Sequence, residues 1–129
     1  MTPRPEQDIH RAVALTLPFP PSLNNLYLNI KGKGRVPTRK YRAWRTQALW
    51  EIRVQRVRPV TGAVSVHIRL VAPDRRRRDA DNALKAVLDV LKAAGIIEDD
   101  SGAYVRRVSS EWAETGEPCT VTIETMEAT

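Results

Sequence analysis

The stretch DRRRRDADNALKAVLDVLK, residues 74–92, constrains this chain more than any other. It opens on four consecutive arginines, Arg75, Arg76, Arg77 and Arg78, that run directly into Asp79 and Asp81. Behind them, Leu84, Val87, Leu88 and Leu91 fall at the i, i+3, i+4, i+7 spacing of a helix with one buried face. Immediately upstream, Val64, Val66, Ile68 and Leu70 alternate with Ser65, His67 and Arg69, which predicts a half-buried strand over residues 64–72. A charged segment that no core accepts is thus held between a strand and a helix that a core requires.

Arginines bind phosphate and carboxylates repel it, so their juxtaposition calls for a hard cation between protein and ligand. Magnesium and manganese suit such oxygen-rich sites, taking one or two carboxylates together with waters and phosphate oxygens. A helix N-terminus adds its own preference for anions. Asp79 stands where an N-cap carboxylate accepts backbone N–H groups. Asp81 and Lys85, four apart, share a helix face with Asn82 and Asp89. The competing reading is bland: a cap, a dipole partner, a helix-stabilising pair and a solvated arginine face. Burying the helix does not need four arginines, and that favours a site for metal-dependent phosphodiester chemistry.

The rest of the chain reads as one domain, since 129 residues support one core and not two. Residues 1–11 are polar and proline-containing, a flexible leader, and the domain proper is expected over 12–126. Val13, Leu15 and Leu17 mark a first strand. Pro18, Pro20 and Pro21 end its ladder, and Asn24, Asn25 and Tyr27 form a polar loop. The KGKGR segment carries Lys31, Lys33 and Arg35 on a flexible loop suited to DNA backbone. Its Gly-x-Gly lacks the third glycine and the preceding strand of a dinucleotide fingerprint, so no nucleotide cofactor is expected.

Thr38 caps a helix reaching about residue 56, with Tyr41, Trp44, Ala48, Leu49 and Ile52 as its apolar stripe. Trp44 and Trp50 are the aromatics available to stack on bases, although helical spacing favours core or interface, and Trp50, off the stripe, suits a dimer contact. Ala94-Gly95 signals a helix end, after which Glu98, Asp99 and Asp100 crowd a turn. Residues 104–112 and 119–125 are expected as two antiparallel strands about a turn at 114–118. His10 and His67 each lack a companion and are read as non-ligands. The order strand, helix, strand, helix, strand, strand predicts an α+β (mixed α/β) domain, a short mixed sheet covered by two main helices.

Lys and Arg outnumber Asp and Glu by 21 to 15, a net charge of +6, which argues for a polyanionic partner. A single cysteine, Cys119, excludes an internal disulfide and a Cys-rich zinc cluster, as expected in a reducing cytoplasm. No apolar run suits a membrane span and no signal-peptide pattern begins the chain.

Two separated motifs carry a family resemblance. PDRRRRDADNALKAVLDVLKAAGIIEDD resembles the signature segment of the RusA family of Holliday-junction resolvases, in which a D-R-R-R-R-D-x-D-N-x-x-K stretch precedes an acidic pair. LPFPPSLNNLY matches that family's strand leading into P-P-S-x-N-x-x-Y. The resemblance extends over residues 13–123 and is loosest in the leader, the KGKGR loop and the middle helix. It implies Asp79, Asp81 and Asp100 as Mg2+ (or Mn2+) ligands and Lys85 as a catalytic lysine that positions water or neutralises charge. Arg75, Arg76, Arg77 and Arg78, with Lys31, Lys33, Asn24 and Asn25, would hold four-way junction DNA. It further implies a homodimer, since a four-way junction takes two symmetric nicks. The rival expectations are a non-catalytic basic DNA-binding module and a magnesium-dependent nuclease without junction selectivity.

Overall fold

The computed structural model describes residues 11–126. Most of the expected leader, His10 included, lies outside them, but Arg11 already belongs to the domain: it exchanges hydrogen bonds with Thr125. Among the described residues, six strands and two α-helices form an α+β domain.

Strand β1 (Ala12–Leu17) is followed by a 3-10 turn (Leu23–Asn25) and a hairpin of β2 (Tyr27–Ile30) and β3 (Gly34–Pro37). The residues read as a polar loop and a basic loop therefore fall in a 3-10 turn and a hairpin. Lys31, Gly32 and Lys33 are only the hairpin's tip, where Gly32 adopts φ 81° and supplies the left-handed backbone that the turn demands.

Helix α1 (Arg39–Gln55) starts as its sequence predicts, with Thr38 Oγ1 accepting the Tyr41 N–H at 3.1 Å. It then ends at Arg56 in the left-handed region. Strand β4 (Val64–Val71) leads through the arginine segment and a 3-10 turn (Ala80–Ala83) into helix α2 (Leu84–Ala93). Strands β5 (Val105–Ala113) and β6 (Cys119–Thr125) complete the chain.

The main sheet has the order β1-β6-β4-β5. Here the expected pairing changes: β5 and β6 run in opposite directions but do not touch as a hairpin, because β4 lies between them, parallel to β5 and antiparallel to β6. The reason lies in the β4–α2–β5 crossover, which returns the chain in the same direction as β4 and places β5 on its outer edge. A register shift at Val64/Ser65 skips Arg106 in the pairing of β5 with β4, and Arg106 and Arg107 are both exposed.

Val64, Val66, Ile68 and Leu70 meet Leu15, Leu17, Val121 and Ile123 in a core that contains no buried charged side chain among the described residues. Helix α1 contributes Tyr41, Trp44, Ala48 and Ile52, as its stripe predicts. Helix α2 is rotated from expectation: Ala86, Val87, Val90 and Leu91 are buried, with Ala83 of the turn before it, while Leu84 and Leu88 remain half-buried. The small Ala83 and Ala86 let the helix approach closely, and the larger leucines flank that contact. Trp44 is core, not a base platform, and its indole N–H donates to the Pro18 carbonyl at 3.0 Å. Helix α2 ends at Gly95, φ 74°, with Ile96 N–H donating to Leu91 O and Gly95 N–H to Lys92 O. This is a Schellman closure that turns the chain toward the acidic segment.

Candidate active site

Strand β4 delivers its charged segment to the edge of the domain, and Asp74 shapes it. Its carboxylate accepts the Arg76 N–H at 2.8 Å and both Arg78 guanidinium nitrogens, at 2.6 and 3.0 Å. The Arg78 hydrogen bonds, joined by that of the Arg76 backbone, hold the Asp74 carboxyl well below the ordinary carboxylate range. Arg78 lies 5.5 Å from the Phe19 ring centroid. Two of the four arginines thus fold the loop, whereas Arg75 and Arg77 are exposed and have no carboxylate partner among the described residues.

Asp79 occupies the N-cap of the 3-10 turn, but its carboxylate makes no capping bond; only its backbone carbonyl accepts, from Asn82 N–H at 3.1 Å. The expected Asp81–Lys85 pair does not form either. The chain enters the helix through a 3-10 turn, which offsets Asp81 from the α-helical i,i+4 geometry, and Lys85 turns forward to Asp89 at 3.0 Å. The Tyr41 hydroxyl donates to the other Asp89 oxygen at 3.1 Å. Asp89's hydrogen bond raises the Lys85 pKa, and burial, followed by the Asp89 charge, raises that of Tyr41. Lys85 is therefore a fixed cation on a buttressed carboxylate. Neither Asp89 nor Tyr41 was singled out as a functional residue in the sequence, although the Lys85/Asp89 i,i+4 spacing signals their pairing.

After the Schellman turn, Asp99 accepts from Lys92 at 2.8 Å, which holds its carboxyl below the ordinary range with help from Ser101. Asp100 lies 3.7 Å from Lys92 and its charge reaches Lys85. Among the described residues, Asp74, Asp89 and Asp99 are each neutralised by a cation, whereas the Asp79 and Asp81 carboxylates form no hydrogen bond or ion pair. Free hard oxygens on one short turn match what magnesium or manganese takes from a protein, one or two carboxylates. In donor chemistry the turn fits a divalent cation. Asp100 is not gathered with them: no three His, Cys, Asp or Glu side chains form a metal-holding group among the described residues.

A cleft of about 630 Å³ runs beside this turn. Asp79, Asn82 and the arginine loop line it together with Pro20, Pro21, Asn24 and Asn25; Lys40, one of the cations on the middle helix, and Trp112, which the sequence did not mark as functional, also line it. Asn24 and Asn25 are thus beside the cleft; their 3-10 turn is pinned by Thr38 Oγ1, which donates to Asn25 O at 2.7 Å. Lys85 lines a separate depression with Tyr27, Tyr41, Arg45, Asp89 and Lys92. Asp81, Asp100, Lys31 and Lys33 line neither. His67 is a strand-face residue, bound to Ser109 at 2.6 Å and Glu111 at 2.8 Å across β4 and β5.

A basic cleft with the uncommitted Asp79 carboxylate in its lining, and that of Asp81 on the adjoining turn, belongs to the class of proteins that handle phosphodiester-linked polyanions. Comparison with known proteins agrees: the family model for endodeoxyribonuclease RusA matches residues 18–124. A crossover junction endodeoxyribonuclease RusA from Aquifex aeolicus is 38% identical over 86 residues, 66% of this chain and 67% of the relative. That of Escherichia coli K12 is 37% identical over 97 residues, 74% of this chain and 79% of the relative. The Enterobacteria phage 82 protein is 36% identical over 96 residues, covering 73% and 78%. The chain belongs to the RusA endodeoxyribonuclease family.

Proposed function

We infer that the chain is a crossover junction endodeoxyribonuclease that resolves four-way (Holliday) DNA junctions by paired symmetric nicks with a divalent cation, Mg2+ or Mn2+. The observation that carries this reading is the pair of unneutralised carboxylates, Asp79 and Asp81, beside an arginine-lined cleft. Asp79 and Asp81 would hold the cation; Asp100, the third carboxylate that the family resemblance implies, stands apart from them here and would have to approach when the cation binds. When bound, the cation supplies an activated water and charge stabilisation at the attacked phosphate.

The protein's own side chains do the rest. Arg75 and Arg77 are free to contact phosphates, while Arg76 and Arg78 keep the loop in shape through Asp74. Lys85, its pKa raised by Asp89, stays protonated through neutral pH and so stabilises developing negative charge; it does not serve as a base. Lys31 and Lys33 extend the basic surface at the hairpin tip, and Asn24 and Asn25 offer amide hydrogen bonds at the cleft wall. Two symmetric incisions are best met by a homodimer acting on one junction. No helix among the described residues is long and apolar enough to cross a membrane, and a DNA substrate together with a lone buried thiol supports a cytoplasmic setting.

The test is cleavage of a synthetic four-way junction with magnesium, comparing wild type, Asp81→Asn and a linear duplex control. Paired nicks by the wild type alone, with junction binding retained in the variant, are expected. Binding without cleavage by the wild type in any divalent cation leaves a basic binding module, and equal cleavage of linear duplex removes junction selectivity.

A further inference from the structure

The cleft contains a feature that phosphate binding does not require. Trp112, near the end of β5, is 39% exposed and stacks on Phe19, with ring centroids 6.2 Å apart and planes inclined by 19°. Phe19 sits between Pro18 and Pro20, in a segment that proline stiffens, and the Arg78 guanidinium lies over its ring. Phe19 and its prolines thus back the indole, which remains partly exposed and lines the cleft. Lys40, Arg76 and Arg77 line the same cleft. The other exposed large apolar side chains of the domain, such as Leu28, Trp50 and Val54, do not line it.

An aromatic face flanked by cations matches one ligand chemistry in particular: a nucleobase swung out of its stack, its neighbouring phosphates neutralised on either side. Inside a regular duplex, base faces are occupied by neighbouring bases and cannot reach such a platform. At the crossover of a branched DNA the stack is interrupted. We propose that Trp112, backed by Phe19, is a stacking platform for a nucleobase unstacked at the branch point. It gives this site a means of favouring branched over continuous DNA that is separate from the carboxylates. The proposal rests on the junction-nuclease reading above.

The experiment uses the full-length protein in EDTA, so that binding is read without cleavage. Four-way junctions carry 2-aminopurine beside the crossover and, separately, an end label for anisotropy. Base stacking of this kind predicts that Trp112→Ala weakens junction binding roughly tenfold while linear duplex binding is unchanged. The 2-aminopurine signal change of the wild type should vanish at saturating Trp112→Ala, and Trp112→Phe should restore most of both. Unaltered junction affinity and 2-aminopurine response in Trp112→Ala would overturn the platform while leaving the nuclease reading intact. An equal loss on junction and linear duplex, or failure of Trp112→Phe to rescue, would also overturn it. A wild type that neither binds nor cleaves junctions would overturn both readings.

Discussion

Asp89 does for Lys85 what no other described residue does: it fixes the ammonium group and is itself fixed by the Tyr41 hydroxyl. A lysine stem alone is mobile, and charge stabilisation requires that the cation be placed before the reaction begins. Asp89→Asn should therefore lower the rate of junction cleavage by roughly tenfold or more, while junction binding in EDTA stays within about twofold. Single-turnover cleavage and anisotropy measured side by side check it; an unchanged rate would show that Lys85 needs no buttress. Cys119 offers a separate residue-scale test. Burial raises its thiol pKa from 9.0 to about 12. The folded state thus retains a proton that the unfolded state releases, and stability contributed below pH 9 is lost as pH rises toward 12. The loss has a limiting slope of about 1.4 kcal/mol per pH unit. Chemical denaturation across pH 8–11 should show a shallower alkaline decline for Cys119→Ala than for the wild type.

Among the elements, those with strong local signals were legible in the sequence. Both helices, β1, β4 and β6 follow from periodicity, and the Thr38 cap and Gly95 stop from residue chemistry, because each depends on neighbours within a turn or two. What was not legible depended on distant partners. Nothing local in residues 104–125 says that β4 will insert between β5 and β6. The 3-10 entry to α2, which frees Asp79 and redirects Lys85 to Asp89, departs from a regular helix by a single turn that spacing rules pass over. The candidate site was legible as a set of residue types and only partly as an arrangement, with Asp79 and Arg77 on the cleft and Lys85 in a neighbouring depression. Thr38 links local and distant effects, since its hydroxyl caps α1 and also holds the Asn25 carbonyl at the cleft wall. Thr38→Ala should cost about 1–2 kcal/mol in urea denaturation. Thr38→Ser, which keeps the hydroxyl, should recover most of it.

At the scale of the whole molecule, a net charge of +6 does not distinguish a DNA-binding face from a generally basic surface. Helix α1 alone exposes Arg39, Arg42, Arg45 and Arg53, and the hairpin tip exposes Lys31 and Lys33. The distribution does distinguish them. Arg77 lines the cleft beside Asp79, whereas Arg53 borders a shallow depression formed with Val57, Pro59 and Ile96. Cations that neutralise phosphates release counterions, so each contact adds roughly 0.9 to the steepness with which log affinity falls against log salt. Arg77→Ala should reduce that slope by about 1 on four-way junctions, and Arg53→Ala should leave it unchanged. Lys31→Ala reports whether the hairpin reaches the same DNA: a reduced slope places its tip on the backbone. Equal reductions for Arg77 and Arg53 would mean that DNA is held by diffuse charge over the whole surface, and the cleft would lose its claim to orient the scissile phosphate.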